Sequence, residues 1–132
     1  VYCTHLHHTQ ESPDMRRAQI EDVIHFIEET EGPGPVILAG DLNARVDAPE
    51  LEALQERFID AYGAVHENVD TVTTLNPAKG HAPRRIDHVF VAGGDGVTLV
   101  PDTAHRVLDR PVDGVWASDH FGVLVRFRPN PE

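Results

Sequence analysis

The run Val36-Ile37-Leu38-Ala39 is wholly apolar and tightly bounded, with "GPGP" before it at 32–35 and "GDLNA" after it at 40–44. A segment that short, apolar on both sides and closed by turn residues, fits a strand covered on both faces of an α/β sheet. Residues 1–7, "VYCTHLH", mix β-branched, aromatic and apolar side chains and predict an earlier strand. Between the two, apolar residues at Ile20, Val23, Ile24 and Ile27 follow the spacing of an amphipathic helix. Ser12 as N-cap, Pro13 at the first helical position and Asp14 in the first turn start that helix. It is expected to reach about Glu29, and the Gly-Pro repeat then stops it.

Pro49 opens a shorter helix to about Arg57, with Leu51 and Leu54 on its buried side. Residues 58–65 read equally as a helical turn or a loop. Residues 66–84 are polar, rich in Thr, Asn, Pro and Gly, and predict a long loop, a feature commonly functional or mobile. Strands follow at 85–92 ("RIDHVFVA"), at 97–101 with continuation toward Val107, and at 121–127 ("FGVLVRF"). Residues 1–128 make one domain and 129–132 a disordered tail. The fold class is therefore α/β (α+β), a mixed and largely antiparallel sheet with helices on one face. Two helices cannot cover strands that are apolar on both sides. One sheet face is expected to lack a partner, and a homo-oligomer through that face is expected to follow.

A chain of 132 residues with 40% apolar and 25% charged residues is an ordinary globular composition. No run approaches the ~18 apolar residues of a membrane span. The chain begins at Val1, inside an apolar stretch and without an initiator Met, so it reads as a cut or processed piece and its compartment stays open. The net charge of −11 repels polyanions, which disfavours duplex nucleic acid as a partner. If the partner carries phosphate, a divalent cation is the expected bridge. The single Cys3 excludes an internal disulfide and, inside an apolar strand, is expected in the core.

Four segments put ionisable side chains at strand ends: "THLHH" at 4–8, "GDLNA" at 40–44, "RRIDHVF" at 84–90 and "SDHFGV" at 118–123. Each alone has an ordinary reading: a core histidine at His5, a turn at Asp41 and Asn43, a paired carboxylate at Asp87 inside an apolar strand, a turn at Asp119–His120. Together they could converge on one sheet edge, where open α/β sheets bind ligands. In-line displacement at phosphorus wants such groups, because charge on the equatorial oxygens must be neutralised and the nucleophile needs a base. Asp41 and Asn43, two apart on extended chain, would point the same way, and Gly40 would allow a close backbone approach.

In this order, "THL", "GDxN", "RIDH" and "SDH" resemble the endonuclease/exonuclease/phosphatase superfamily of the DNase I-like fold, from His5 to Val123. The resemblance implies one half of a two-sheet α/β sandwich and hydrolysis of a phosphoester with Mg²⁺, or Mn²⁺ or Ca²⁺, as cofactor. It implies that Asp41 orients and deprotonates water, that Asn43 hydrogen-bonds the phosphoryl group, and that His120, oriented by Asp87, stabilises phosphoryl charge. His5 has a similar phosphate-side role, and Asp119 lies beside the metal. His81, Arg84 and Arg85, at the end of the long loop, are the expected substrate-facing residues. The chain is about half a family member's length and lacks the N-terminal half with its metal-binding Glu, so the isolated chain is expected to be inactive or nearly so.

Three rival readings stand beside this one. A non-catalytic scaffold or interaction module would keep the same fold. A calcineurin-like metallophosphoesterase would need "GDxxD", where this chain has Ala44. A zinc hydrolase with "HxHxDH" fails at Thr9 and Gln10.

Overall fold

The computed structural model describes residues 1–131. Its elements are β1 (Tyr2–His5), α1 (Pro13–Thr30), β2 (Val36–Asp41), α2 (Glu52–Arg57, after a 3-10 turn at Pro49–Leu51), β3 (Ile59–Asp60), α3 (Ala61–Val65), β4 (Asp87–Ala92), β5 (Val97–Val107) and β6 (Gly122–Pro131). A four-stranded sheet runs in the order β1-β2-β4-β3, and β5 pairs with β6 in a second, two-stranded sheet. β1 and β2 are parallel, joined through α1, while β4 is antiparallel to both β2 and β3. This is the mixed α/β arrangement that the sequence predicts.

Alternation along β2 decides which side is core. Val36 and Leu38 are buried with Phe90 of β4 against Ile20 and Ile27 of α1, Leu51 just before α2 and Leu54 within it. Each fully buried aliphatic side chain contributes roughly 1.5–3 kcal/mol, so this helix-covered face is the main source of stability. α1 is pinned further by Arg16, whose buried guanidinium pairs with buried Glu50 at 2.7 Å and also donates to the Thr9 carbonyl. The sequence reading did not single out that pair.

The opposite face is partly open. α3, β5 and β6 contact β4 on this side, with α3 packed against both β5 and β4. Ile59 is 56% exposed. Cys3 is exposed there as well, contrary to the expected core position, because β1 is an edge strand whose second face meets no helix.

The tail also differs from expectation. β6 continues through Pro131, with Leu99 opposite Pro129, Thr98 opposite Asn130 and Val97 opposite Pro131, so 129–131 is strand; Glu132 lies outside the described residues. Prolines read as disorder, yet a two-stranded ladder has free edges that tolerate a missing N–H. The long loop is no free loop either. Thr73, Thr74, Leu75 and Asn76 are all buried, and Leu75 forms a bridge with His120.

Candidate active site

Register brings the predicted residues together. His5 of β1 stands opposite Asp41 of β2, and Asp41 opposite Asp87 of β4, a row across three strands on the face away from α1 and α2. Asp87 is the first residue of β4, half-buried, rather than in the middle of an apolar strand. His120 arrives from the connection before β6 and donates from Nδ1 to Asp87 Oδ2 at 2.9 Å. Its Nε2 then lies 3.9 Å from Asp41 Oδ2, and His5 Nε2 lies 3.4 Å from that same oxygen.

The "GDLNA" turn has its own geometry. Asp41 Oδ1 accepts from the Asn43 backbone N–H at 2.8 Å, an Asx turn that fixes the carboxylate. Asn43 has φ 50°, a left-handed conformation that Asn tolerates better than most residues. The two residues are therefore not in step on extended chain, as the sequence suggested; the turn itself presents them. One amide hydrogen of buried Asn43 goes to the Leu6 carbonyl at 2.8 Å, which ties the turn to the end of β1. Gly40 is required where it stands, since a Cβ there would lie 1.9 Å from the Thr4 carbonyl oxygen.

Electrostatics follow from this packing. Burial raises the Asp41 pKa above the ordinary carboxylate value and outweighs the Asn43 N–H, with the Asp87 charge adding to the rise. Burial disfavours charge on His120, but the Asp87 hydrogen bond and the charges of Asp87, Asp41 and Asp119 outweigh it and raise its pKa. A stronger base and a more readily protonated imidazole thus face each other. Asp119 lies outside this row. Its exposed carboxylate accepts from His81 Nε2 at 2.9 Å, and that bond lowers its pKa.

The row opens into a cleft of about 610 Å³ whose lining includes His5, Asp41, Asn43, His81, Arg84, Asp87, Asp119 and His120. Arg85 is absent from it. Its buried guanidinium forms a two-point pair with Asp60 (3.1 and 2.7 Å) and lies over the Tyr62 ring, so the structure removes Arg85 from the substrate-facing set. Arg84 reaches the cleft and Arg85 does not, because Asp60 and the Tyr62 ring hold the Arg85 guanidinium away from it.

Two residues holding the site went unnoticed in the sequence. The buried Thr74 hydroxyl accepts from the backbone N–H groups of Ile86 (3.0 Å) and Asp87 (3.2 Å), securing the start of β4. His88 is buried and reaches the Ala44 carbonyl. Its place in "RIDHVF" was visible; its partner was not.

Asp41, Asp87 and His120 offer ligand atoms within 4.8 Å of one another. Oxygen donors suit Mg²⁺ or Ca²⁺, and two facing carboxylates gain from a cation between them. This donor set fits such an ion.

The endonuclease/exonuclease/phosphatase family model matches residues 1–120. A search of curated proteins finds no match. Among solved structures, a humanized D. rerio TDP2 is 25% identical with a TM-score of 0.78, covering 96% of this chain and 53% of its own. D. rerio TDP2 complexed with single-strand DNA product is 21% identical (TM-score 0.80, 96% and 54%). An endonuclease/exonuclease/phosphatase from Bacteroides vulgatus is 22% identical (TM-score 0.71, 98% and 50%). The chain thus spans about half the length of these proteins. The calcineurin-like and zinc-hydrolase alternatives lose their footing, since one family model accounts for nearly all of the sequence. With the "THL", "GDxN", "RIDH" and "SDH" motifs all inside the matched residues 1–120, this chain belongs to the endonuclease/exonuclease/phosphatase family.

Proposed function

We propose that this chain supplies the base and the phosphate clamp of a divalent-metal-dependent phosphoesterase. The observation that carries the reading is the geometry of His120, held by Asp87 at 2.9 Å with its other nitrogen 3.9 Å from Asp41. Asp41, its proton affinity raised by burial, orients and deprotonates a water; a well-placed base contributes ~10²–10⁴-fold. His120, protonated with Asp87 behind it, donates from Nε2 to the phosphoryl oxygens as negative charge develops there. His5, on the cleft rim, meets the same group from the other side. Asn43 keeps one amide hydrogen for the phosphoryl oxygen while the other holds Leu6. Asp41 and Asp87, with Asp119 at the cleft wall, would hold Mg²⁺ or Mn²⁺, which supplies Lewis-acid neutralisation of phosphoryl charge.

The half-length match to the related structures supports a second part of the reading. A metal-binding Glu comes from sequence outside this chain, and the isolated chain hydrolyses phosphoesters weakly or not at all. The net charge of −11 favours a single-stranded or small phosphoester over duplex nucleic acid.

The test is a panel of phosphodiesters and phosphomonoesters with Mg²⁺ or Mn²⁺, run on the full-length protein beside Asp41→Asn and His120→Ala. Each substitution is expected to reduce kcat at least ~10²-fold. Full activity in both variants would overturn the site assignment and favour the non-catalytic scaffold reading.

A further inference from the structure

Arg84 stands between two openings. On one side it lines the cleft of Asp41, Asp87 and His120. On the other it lines a second compartment of about 350 Å³, formed with Gln10, Ala44, Arg45, Asp47 and Glu50. Its backbone is fixed, because its N–H donates to Thr73 Oγ1 at 2.9 Å and its carbonyl accepts from Thr74 N–H at 2.9 Å. The wall between the openings is fixed too, by Gln10 Nε2 donating to the Asn43 carbonyl at 3.3 Å.

Charge balance singles out this residue. Glu50 is answered by Arg16 at 2.7 Å, and Asp47 by Arg45 at 3.2 Å. The neighbouring Arg85 is spent on Asp60. The half-buried Arg84 guanidinium has no hydrogen bond or ion pair among the described residues. In a chain with twice as many acidic as basic residues, a cation partly out of water and left without a carboxylate is a vacant anion seat. A guanidinium fork matches phosphate oxygens in two-point contact.

We propose that Arg84 binds a second phosphate of the substrate, neighbouring the one that faces His120, so that the ligand spans both compartments. The substrate class is then a molecule carrying at least two phosphates, not a simple monophosphate. This inference rests on the phosphoester reading of the cleft.

The experiment titrates the chain, in buffer containing Ca²⁺, with thymidine monophosphate, with pTpT and with inositol trisphosphate, following backbone amide NMR signals. At least one of pTpT and inositol trisphosphate is expected to bind roughly tenfold tighter than the monophosphate, the worth of one charge-assisted contact. Preference for pTpT identifies the second phosphate as that of a nucleic-acid strand; preference for inositol trisphosphate identifies a small polyphosphate. Arg84→Gln is expected to bring the ratio near one and Arg84→Lys to restore part of it, with urea midpoints confirming that both variants are folded. Equal binding of all three ligands, or a ratio unmoved in Arg84→Gln, overturns the inference and leaves the phosphoester reading standing. No response of the cleft signals, Asp41 and His120 included, to any ligand overturns both.

Discussion

His88 Nε2 donates to the Ala44 carbonyl at 2.8 Å, while its Nδ1 accepts from Arg85 at 3.3 Å. An arginine can only donate, so the ring proton is fixed on Nε2, and the imidazole is a neutral strut between the Asp60–Arg85 pair and the "GDLNA" turn. Burial, with the Arg85 charge adding to it, pushes the His88 pKa down to about 4.

A pH dependence follows from that strut. A histidine with a depressed folded pKa contributes stability above its unfolded value near 6.5, and the contribution is lost as pH falls toward about 4. The full shift amounts to about 3 kcal/mol. Urea unfolding between pH 7 and pH 4 should therefore show a loss of stability that is much smaller in His88→Gln. Parallel pH curves for the two proteins would contradict the buried neutral assignment.

His120 should titrate in the opposite sense. With its pKa raised by Asp87 and the other carboxylates, it contributes stability below its unfolded value, and this fades as pH rises through the folded value. NMR titration of the isolated chain is expected to place the His120 midpoint above 6.5 and, in Asp87→Asn, distinctly lower. A midpoint unmoved by that substitution would mean that the 2.9 Å bond is not formed in solution.

Gly40→Ala is expected to cost at least ~1–3 kcal/mol, because the added Cβ meets the Thr4 carbonyl oxygen at 1.9 Å and must push β1 away from β2. His5 sits one residue beyond the point of contact, so its alignment with Asp41 would be lost too. Thermal melting measures the first effect, and the His5 chemical shift response to Asp41→Asn the second.

Glu50→Ala leaves Arg16 buried and unanswered, and should destabilise by about 3–5 kcal/mol. Replacing both residues together, Arg16→Met with Glu50→Leu, should recover much of that loss. Equal denaturation midpoints for the wild type and Glu50→Ala would show that the pair contributes nothing.

Cys3 reports on the open sheet face. At high dilution it should react with a thiol reagent at close to the rate of the unfolded chain, since it is exposed on β1. Labelling that slows as protein concentration rises would register the self-association expected from an uncovered sheet, and sedimentation would measure it directly.

Much of the molecule was legible in its residues. The apolar run at 36–39, the helical spacing from Ile20 to Ile27 and the proline-marked starts gave strands and helices within a few residues of their bounds, because these signals are local. The candidate site residues were legible for a different reason: each segment alone reads as an ordinary turn or core group, but four in fixed order resemble one family's centre.

Sequence alone therefore determined the order of the longer elements, the family resemblance and the choice of Asp41, Asp87 and His120 as candidates. Tertiary structure decided what pairs with what. Arg84 and Arg85 are adjacent and chemically identical, yet one faces the cleft and the other is buried on Asp60, because Asp60 lies 25 residues earlier in the chain and only the fold brings it to Arg85. Residues 73–76 read as loop until Thr74 was seen to hold the start of β4 and Leu75 to carry His120. The 129–131 segment read as disorder until β5 lay beside it. Hydrogen bonds between residues far apart in the chain leave no local pattern, and those bonds turned a set of plausible side chains into a site.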